Sequence, residues 1–157
     1  MAGQVTTVTM APLTMFDACN PSKLPKLPKM IAGYIDGPCK WPGAGWSMFP
    51  TATKVRISVE ANELADVFDW EQGTSPLSAV RQAIEHRAQA YLPSVVYCSL
   101  ASWPTAKRNL GGLPIAWWVA DWTGVEHCVA GATATQWASL ADYDISAVLP
   151  SWPKSAG

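Results

Sequence analysis

The stretch Ala65-Asp66-Val67-Phe68-Asp69-Trp70-Glu71-Gln72-Gly73 carries the chain's most suggestive chemistry. In an extended strand alternate side chains share a face, so Val67, Asp69 and Glu71 point one way and Phe68 and Trp70 the other. Two carboxylates therefore emerge together at a strand's C-terminal end, where β/α folds build their crevices. Crowding them with reduced hydration raises the proton affinity of at least one, because both ionising would set like charges side by side. A protonated acid beside an ionised partner is what acid-assisted cleavage of a glycosidic bond requires. A solvated strand end, or a carboxylate capping the next helix, would leave the same Asp-x-Glu in a sequence, so the pair needs company.

That company exists at equivalent places. Asp17 closes the first expected strand, Asp36 closes the second before Gly37, and Asp144 lies in the eighth with Ser146 on its face. Their expected work is to order a sugar and balance the charge of the pair, with Asp144 adjoining the first strand once a barrel closes. Asp121 and Asp142 read as loop acids. Tyr34 accompanies the second strand, and alternation allows Tyr97, Trp118 and Gln136 to line the barrel mouth, where stacking and an amide hydrogen bond would orient a sugar. Trp117 and Trp137 have the other parity and are assigned to packing. The functional reading requires Asp17, Asp69, Glu71 and Asp144 to meet in one wet, acidic mouth.

Eight short β-rich runs would do the positioning: 13–18, 30–36, 54–59, 65–69, 94–99, 115–120, 132–137 and 143–148. One helix is clear between them, with Thr74 or Ser75 as its cap, Pro76 in its first turn and a stripe of Leu77, Val80, Ile84, Ala88 and Tyr91 ending before Pro93. Helical turns are expected at 21–27, 44–49 and 102–110. Alternation of strand and helix over the first two thirds argues for a largely parallel sheet. Residues 138–142 are too few for a parallel crossover, so the last strands should be antiparallel. The segment 60–64 is also too short for a helical crossover. The expected fold is α/β: a compact, irregular TIM-like barrel of about eight strands with reduced helices, since ordinary (β/α)8 barrels run to about 200 residues or more. It forms one domain over the 157 residues, with 1–9 and 153–157 loosely ordered.

Composition narrows the function classes. A net charge of −1 without basic blocks gives no surface for phosphate neutralisation, which argues against nucleic acid. No apolar run reaches the roughly eighteen residues of a membrane span, and the first thirteen residues lack the charged and apolar regions of a secretion signal. No metal or nucleotide cofactor is expected: His86 and His127 complete no ligand set or triad, and Gly111-Gly112 precedes a strand rather than following one. Cys19, Cys39, Cys98 and Cys128 are too scattered for a zinc motif. Buried free thiols are the plain expectation, with a Cys19–Cys39 bridge open if the first two strands are neighbours. Nine tryptophans and thirteen prolines are the oddity, and two or three of the tryptophans suit flat sugar platforms.

An ordered set of short segments carries a resemblance: Phe16-Asp17-Ala18-Cys19, Gly33-Tyr34-Ile35-Asp36-Gly37, Phe68-Asp69-Trp70-Glu71, Val96-Tyr97-Cys98-Ser99, Trp118-Val119-Ala120, Gln136-Trp137 and Tyr143-Asp144-Ile145-Ser146. In that order they resemble the glycoside hydrolase family 25 lysozymes and the related actinobacterial and phage glycoside-hydrolase-like domains. The resemblance implies an irregular barrel with fewer than eight helices, and cleavage of the muramic acid to glucosamine linkage of peptidoglycan. It implies Glu71 as general acid, Asp69 as its partner at the transition state, and Asp17 and Asp144 as flanking acids; Asp36 has no counterpart need in the classical enzymes. Two features depart from the pattern: the region between Asp17 and Asp69 is shorter, and Trp70 replaces a small aliphatic residue. The alternative expectation is a non-catalytic glycan-binding or structural module, such as a virion component partnered by other phage proteins.

Overall fold

A computed structural model of the chain describes residues 11–60, 65–71 and 75–153. Eight strands close into one barrel in sequence order: β1 (Leu13–Asp17), β2 (Met30–Tyr34), β3 (Thr53–Ser58), β4 (Val67–Asp69), β5 (Ser94–Ser99), β6 (Ile115–Ala120), β7 (Ala134–Ser139) and β8 (Asp144–Val148). β1 to β7 pair in parallel, and β8 runs antiparallel to both β7 and β1, closing the sheet. The reversal follows from chain length, because the few residues after Ser139 permit only a turn, held by Leu140 N–H donating to Tyr143 O at 3.0 Å. Three helices are described: α1 (Gly43–Ser47), α2 (Leu77–Gln89) and α3 (Trp103–Leu110), with a 3-10 turn at Pro21–Lys23. The architecture is thus a closed mixed β-barrel with sparse helical cover.

Period-two alternation divides the side chains. Met15, Met30, Ala32, Val55, Ile57, Val67, Val95, Tyr97, Trp118, Ala134 and Val148 fill the interior as one cluster. Small residues at positions 32, 120 and 134 leave room for the Trp118 indole within a barrel this narrow. The opposite parity, Phe68, Val96, Cys98 and Val119, packs outward against Val80 and Ile84 of α2 and Ala106 and Leu110 of α3. Full burial of a side chain such as Ile84 or Leu110 contributes roughly 1.5–3 kcal/mol. A third cluster gathers Ile31, Leu24, Trp41 and Phe49. Trp41 lies so close to β2 that a Cβ on Gly33 would stand 2.6 Å from its ring, and the indole N–H donates to Ala18 O at 2.9 Å.

The long helix differs from expectation at both ends. Pro76 is the N-cap residue, and the Ser75 hydroxyl donates to Val59 O instead of capping the helix. At the other end Tyr91 leaves the apolar stripe: the helix stops at Gln89, and Tyr91 is 96% exposed with φ 56°. Thr74 as a cap, and loose order at 1–9 and 154–157, lie outside the described residues. So does most of the short 60–64 connection, although the strands it joins pair in parallel.

Because β1 and β2 are neighbours, Cys19 and Cys39 come together, and they form a disulfide with 4.7 Å between Cα atoms. The expectation of buried thiols holds for Cys98 and fails for Cys128, which is exposed in the loop after β6. Burial pushes the Cys98 thiol up to about 12, so it stays a neutral packing group.

Candidate active site

The parallel strands deliver their last inward residues to one end of the barrel. Register sets Asp17 opposite Asp144 across the β1–β8 pair and Asp69 beside Tyr97 across β4–β5. Gln136 enters from β7, opposite Ser146 of β8. Its Nε2 donates to Asp17 Oδ1 at 3.0 Å, to Asp17 Oδ2 at 3.2 Å and to Asp144 Oδ2 at 3.3 Å. Its Oε1 accepts from the Tyr97 hydroxyl and from the Trp122 indole N–H, both at 2.8 Å. With acceptors on one side and donors on the other, the amide has only one satisfactory orientation. Separately, the Tyr34 hydroxyl donates to Asp69 Oδ2 at 3.1 Å, while Asp69 Oδ1 is buried without a hydrogen-bond partner among the described residues.

Asp17 and Asp69 are only 5% and 6% exposed, and with the half-buried Asp144 they form an inner layer apart from Glu71, whereas the expectation was one wet mouth holding all four. Burial first, then the charges of Asp144 and Asp69, push the Asp17 carboxyl up to about 8 against the opposing Gln136 bond. Burial and the nearby Glu71 carboxylate push Asp69 up to about 7, against the opposing bond from Tyr34. Asp144 is raised too, chiefly by burial, with a Ser139 hydrogen bond pulling the other way. Burial and the neighbouring carboxylates also raise the Tyr34 and Tyr97 phenols, which remain hydroxyl donors at every working pH. Near neutrality the layer therefore holds Asp17 largely protonated and Asp69 close to its midpoint.

Above this layer opens a groove of about 430 Å³, walled by Trp70, Glu71, Tyr97, Leu100, Asp121 and Trp122. Glu71 is exposed on that wall, and neither Asp17 nor Asp69 reaches it. Of the strand-end acids, Asp17 and Asp69 thus lie buried, Asp36 and Asp144 half-buried, and Glu71 exposed.

Several expected site residues occupy different stations. Trp118 does not line the mouth: it is 1% exposed in the barrel centre, packs edge-on against Tyr97 at 4.9 Å and donates to Ser146 Oγ at 3.0 Å. Its position at the middle of β6, two residues before the strand's end, places it one layer too deep. Gln136 is equally buried, and its amide is committed to protein groups instead of presenting itself to a ligand. Asp36 accepts from Ser58 Oγ and Val59 N–H, tying the chain after β2 to the end of β3. Tyr97 does line the groove, although it is 8% exposed and its hydroxyl is bonded to Gln136.

Among the groove residues that the sequence reading did not assign to the site are Trp122 and Asp121. Trp122 has the parity of Trp118 and Ala120, so carrying the β6 alternation one step past the strand would have found it. Asp121, read as a loop acid, also lines the groove, and its Oδ2 lies 2.9 Å from His127 Nε2. His127 Nδ1 lies 2.8 Å from Val125 O, so both ring nitrogens face acceptors and the imidazolium is favoured, raising that pKa. No protein-family model, curated protein or solved structure matches the chain.

Proposed function

We propose that this chain is a glycoside hydrolase of the muramidase type, acting on the glycan strands of bacterial peptidoglycan. One observation carries the reading: Glu71 stands on the wall of an open groove, with Asp69 one alternate position behind it and raised in proton affinity to about 7. Glu71 gives its proton to the leaving glycosidic oxygen. That proton is shared with Asp69 below about pH 7, and the negative charge left on the pair offsets the positive charge that develops on the sugar ring. Asp17, held protonated through most of the working range, keeps the deeper layer from filling with repelling charge.

The kinship with helix-wrapped (β/α)8 barrels belongs to the same proposal. It is supported by seven consecutive strands in parallel register and by a groove at their C-terminal ends. The Cys19–Cys39 bridge supports an oxidising workplace outside a cytoplasm, as a cell-wall or virion-borne activity demands.

The second reading, a module that binds glycan without cutting it, is favoured by the burial of Asp69 away from the groove wall. Zymography on cell walls separates the two. Clearing by the unaltered chain that disappears in Glu71→Gln supports hydrolysis; wall binding without clearing, indifferent to that substitution, supports the module and overturns the enzyme.

A further inference from the structure

We infer that His127 is a positioning residue for the groove: as an imidazolium it bridges the Asp121 carboxylate to the Val125 carbonyl, and loss of one proton breaks that bridge and loosens this wall. Only the effect on a bound glycan rests on the reading above; the bridge itself does not.

The ring stands among groups of its own loop, between β6 and β7. Its Nε2 lies 2.9 Å from Asp121 Oδ2, and its Nδ1 lies 2.8 Å from Val125 O and 3.3 Å from Thr123 Oγ1. The Thr123 hydroxyl already donates to Val125 O at 3.0 Å and accepts from Val125 N–H at 3.2 Å. A carboxylate and a carbonyl only accept, so both ring nitrogens must carry protons to satisfy them. A neutral ring keeps one proton. With it on Nε2, the Nδ1 lone pair confronts Val125 O, and Thr123 can relieve this only by turning its hydroxyl away from that carbonyl. With it on Nδ1, Asp121 loses its donor. Either tautomer costs the loop a bond, and the bond to Asp121 also loses its charge assistance.

The backbone around this bridge is anchored elsewhere. Asp121 N–H donates to Gln136 O and Gly124 N–H to Trp137 O, both at 2.9 Å, and Val129 N–H donates to Thr135 Oγ1 at 2.8 Å. Loss of the bridge therefore leaves both ends of the loop in place, and frees the Asp121 side chain and the segment 125–128. Asp121 lines the groove, so a fixed acceptor there becomes a mobile one, and a ligand must then pay to order it. The charge acting on the ring is that of Asp121, and its sequence neighbours Glu126 and Cys128 are exposed. Val125 O and Asp121 raise the proton affinity of the ring, so the bridge is complete below the ordinary histidine value and is lost as pH rises through the raised one.

The test is nuclear magnetic resonance on the isotopically labelled full chain at about pH 5.5 and about pH 8.5, on either side of the ordinary histidine value. Backbone heteronuclear Overhauser effects of residues 125–128 should fall at the higher pH. They should be low at both in His127→Ala, and high at both in His127→Arg, a permanent cation with donors on two edges. Asp121→Asn should lower the proton affinity of His127 about threefold. N-acetylchitotetraose, titrated into the chain carrying Glu71→Gln to prevent turnover, should bind a few-fold more weakly at the higher pH, and adding His127→Arg should abolish that loss. Overhauser effects that ignore pH in the unaltered chain, or that change with pH equally in His127→Ala, overturn the inference. A pH-dependent affinity that persists in His127→Arg overturns the effect on the glycan. Overhauser effects that respond as expected in a chain that neither binds the tetramer nor clears cell walls remove the glycan reading and leave the bridge standing.

Discussion

Gln136 Nε2 donates to both carboxylate oxygens of Asp17, at 3.0 and 3.2 Å, across a sequence separation of 119 residues. This bond joins the first strand to the seventh, and the same amide group reaches Asp144, Tyr97 and Trp122. Four expectations follow from the layer it organises and the bridge beside it.

Replacing the hub should destabilise the whole barrel. Gln136→Leu leaves the Tyr97 hydroxyl and the Asp17 carboxyl without their buried partner, and each orphaned buried group costs about 1–3 kcal/mol. A total loss of about 2–5 kcal/mol is expected in urea unfolding, with the slope on denaturant unchanged. A loss under about 1 kcal/mol would mean that water replaces the amide freely.

Stability should fall as pH rises through the neutral range. Asp17 is raised to about 8 in the folded chain, while an unfolded aspartate titrates near 3.9. Between those values the folded state holds a proton that the unfolded state has lost, so stability declines from about pH 4 to about pH 8 and this contribution is flat outside that window. Asp69, raised to about 7, adds the same sign over a narrower range. Asp17→Asn keeps an acceptor for Gln136 and removes the ionisation. The variant should lose, on the order of a few kcal/mol, the fall between pH 5 and pH 8 that the unaltered chain shows in thermal unfolding. An identical pH slope in both chains would contradict a buried, proton-holding Asp17.

If Glu71 delivers to the glycan a proton that it shares with Asp69, activity must respond to the titration of that pair. Turnover should fall as pH passes upward through about 7, where the pair loses its remaining proton. Asp69→Asn should lower kcat by 10²-fold or more and erase that inflection, leaving binding of N-acetylchitotetraose within a few-fold. An inflection near 7 that persists in Asp69→Asn assigns it to another group.

The bridge and the two thiols should separate cleanly by chemistry. Closing the loop between Cys19 and Cys39, 20 residues apart, constrains the unfolded chain by about 3 kcal/mol, so the Cys19→Ser, Cys39→Ser double variant should lose stability of that size. In the native oxidised chain a thiol reagent should titrate Cys128 and not Cys98, which is buried with its pKa at about 12. Rapid labelling of both would show that the packing of α3 on β5 opens readily.

Much of the barrel was legible because local pattern and fold agree. Short β-rich runs marked all eight strands to within a few residues, and the brevity of the segment 138–142 foretold the antiparallel return. Tyr91 was misread because helical periodicity does not say where a helix ends, and its positive φ is a property of the turn into β5. Trp118 was misplaced by one layer, because parity tells which face a residue takes and not how far up the barrel it sits.

By itself the sequence indicated which side chains share a face: Val67 with Asp69, Asp144 with Ser146, and Tyr97, Trp118 and Gln136 toward the barrel. These are consequences of backbone geometry, which repeats every two residues regardless of context. Only the tertiary structure decided solvation: it made Asp17 and Asp69 dry and left Glu71 wet, sank Trp118 and raised Trp122, and spent the Gln136 amide on other side chains. Proton affinity and availability to a ligand depend on how many neighbours arrive from distant strands, and that number exists only once the barrel has closed.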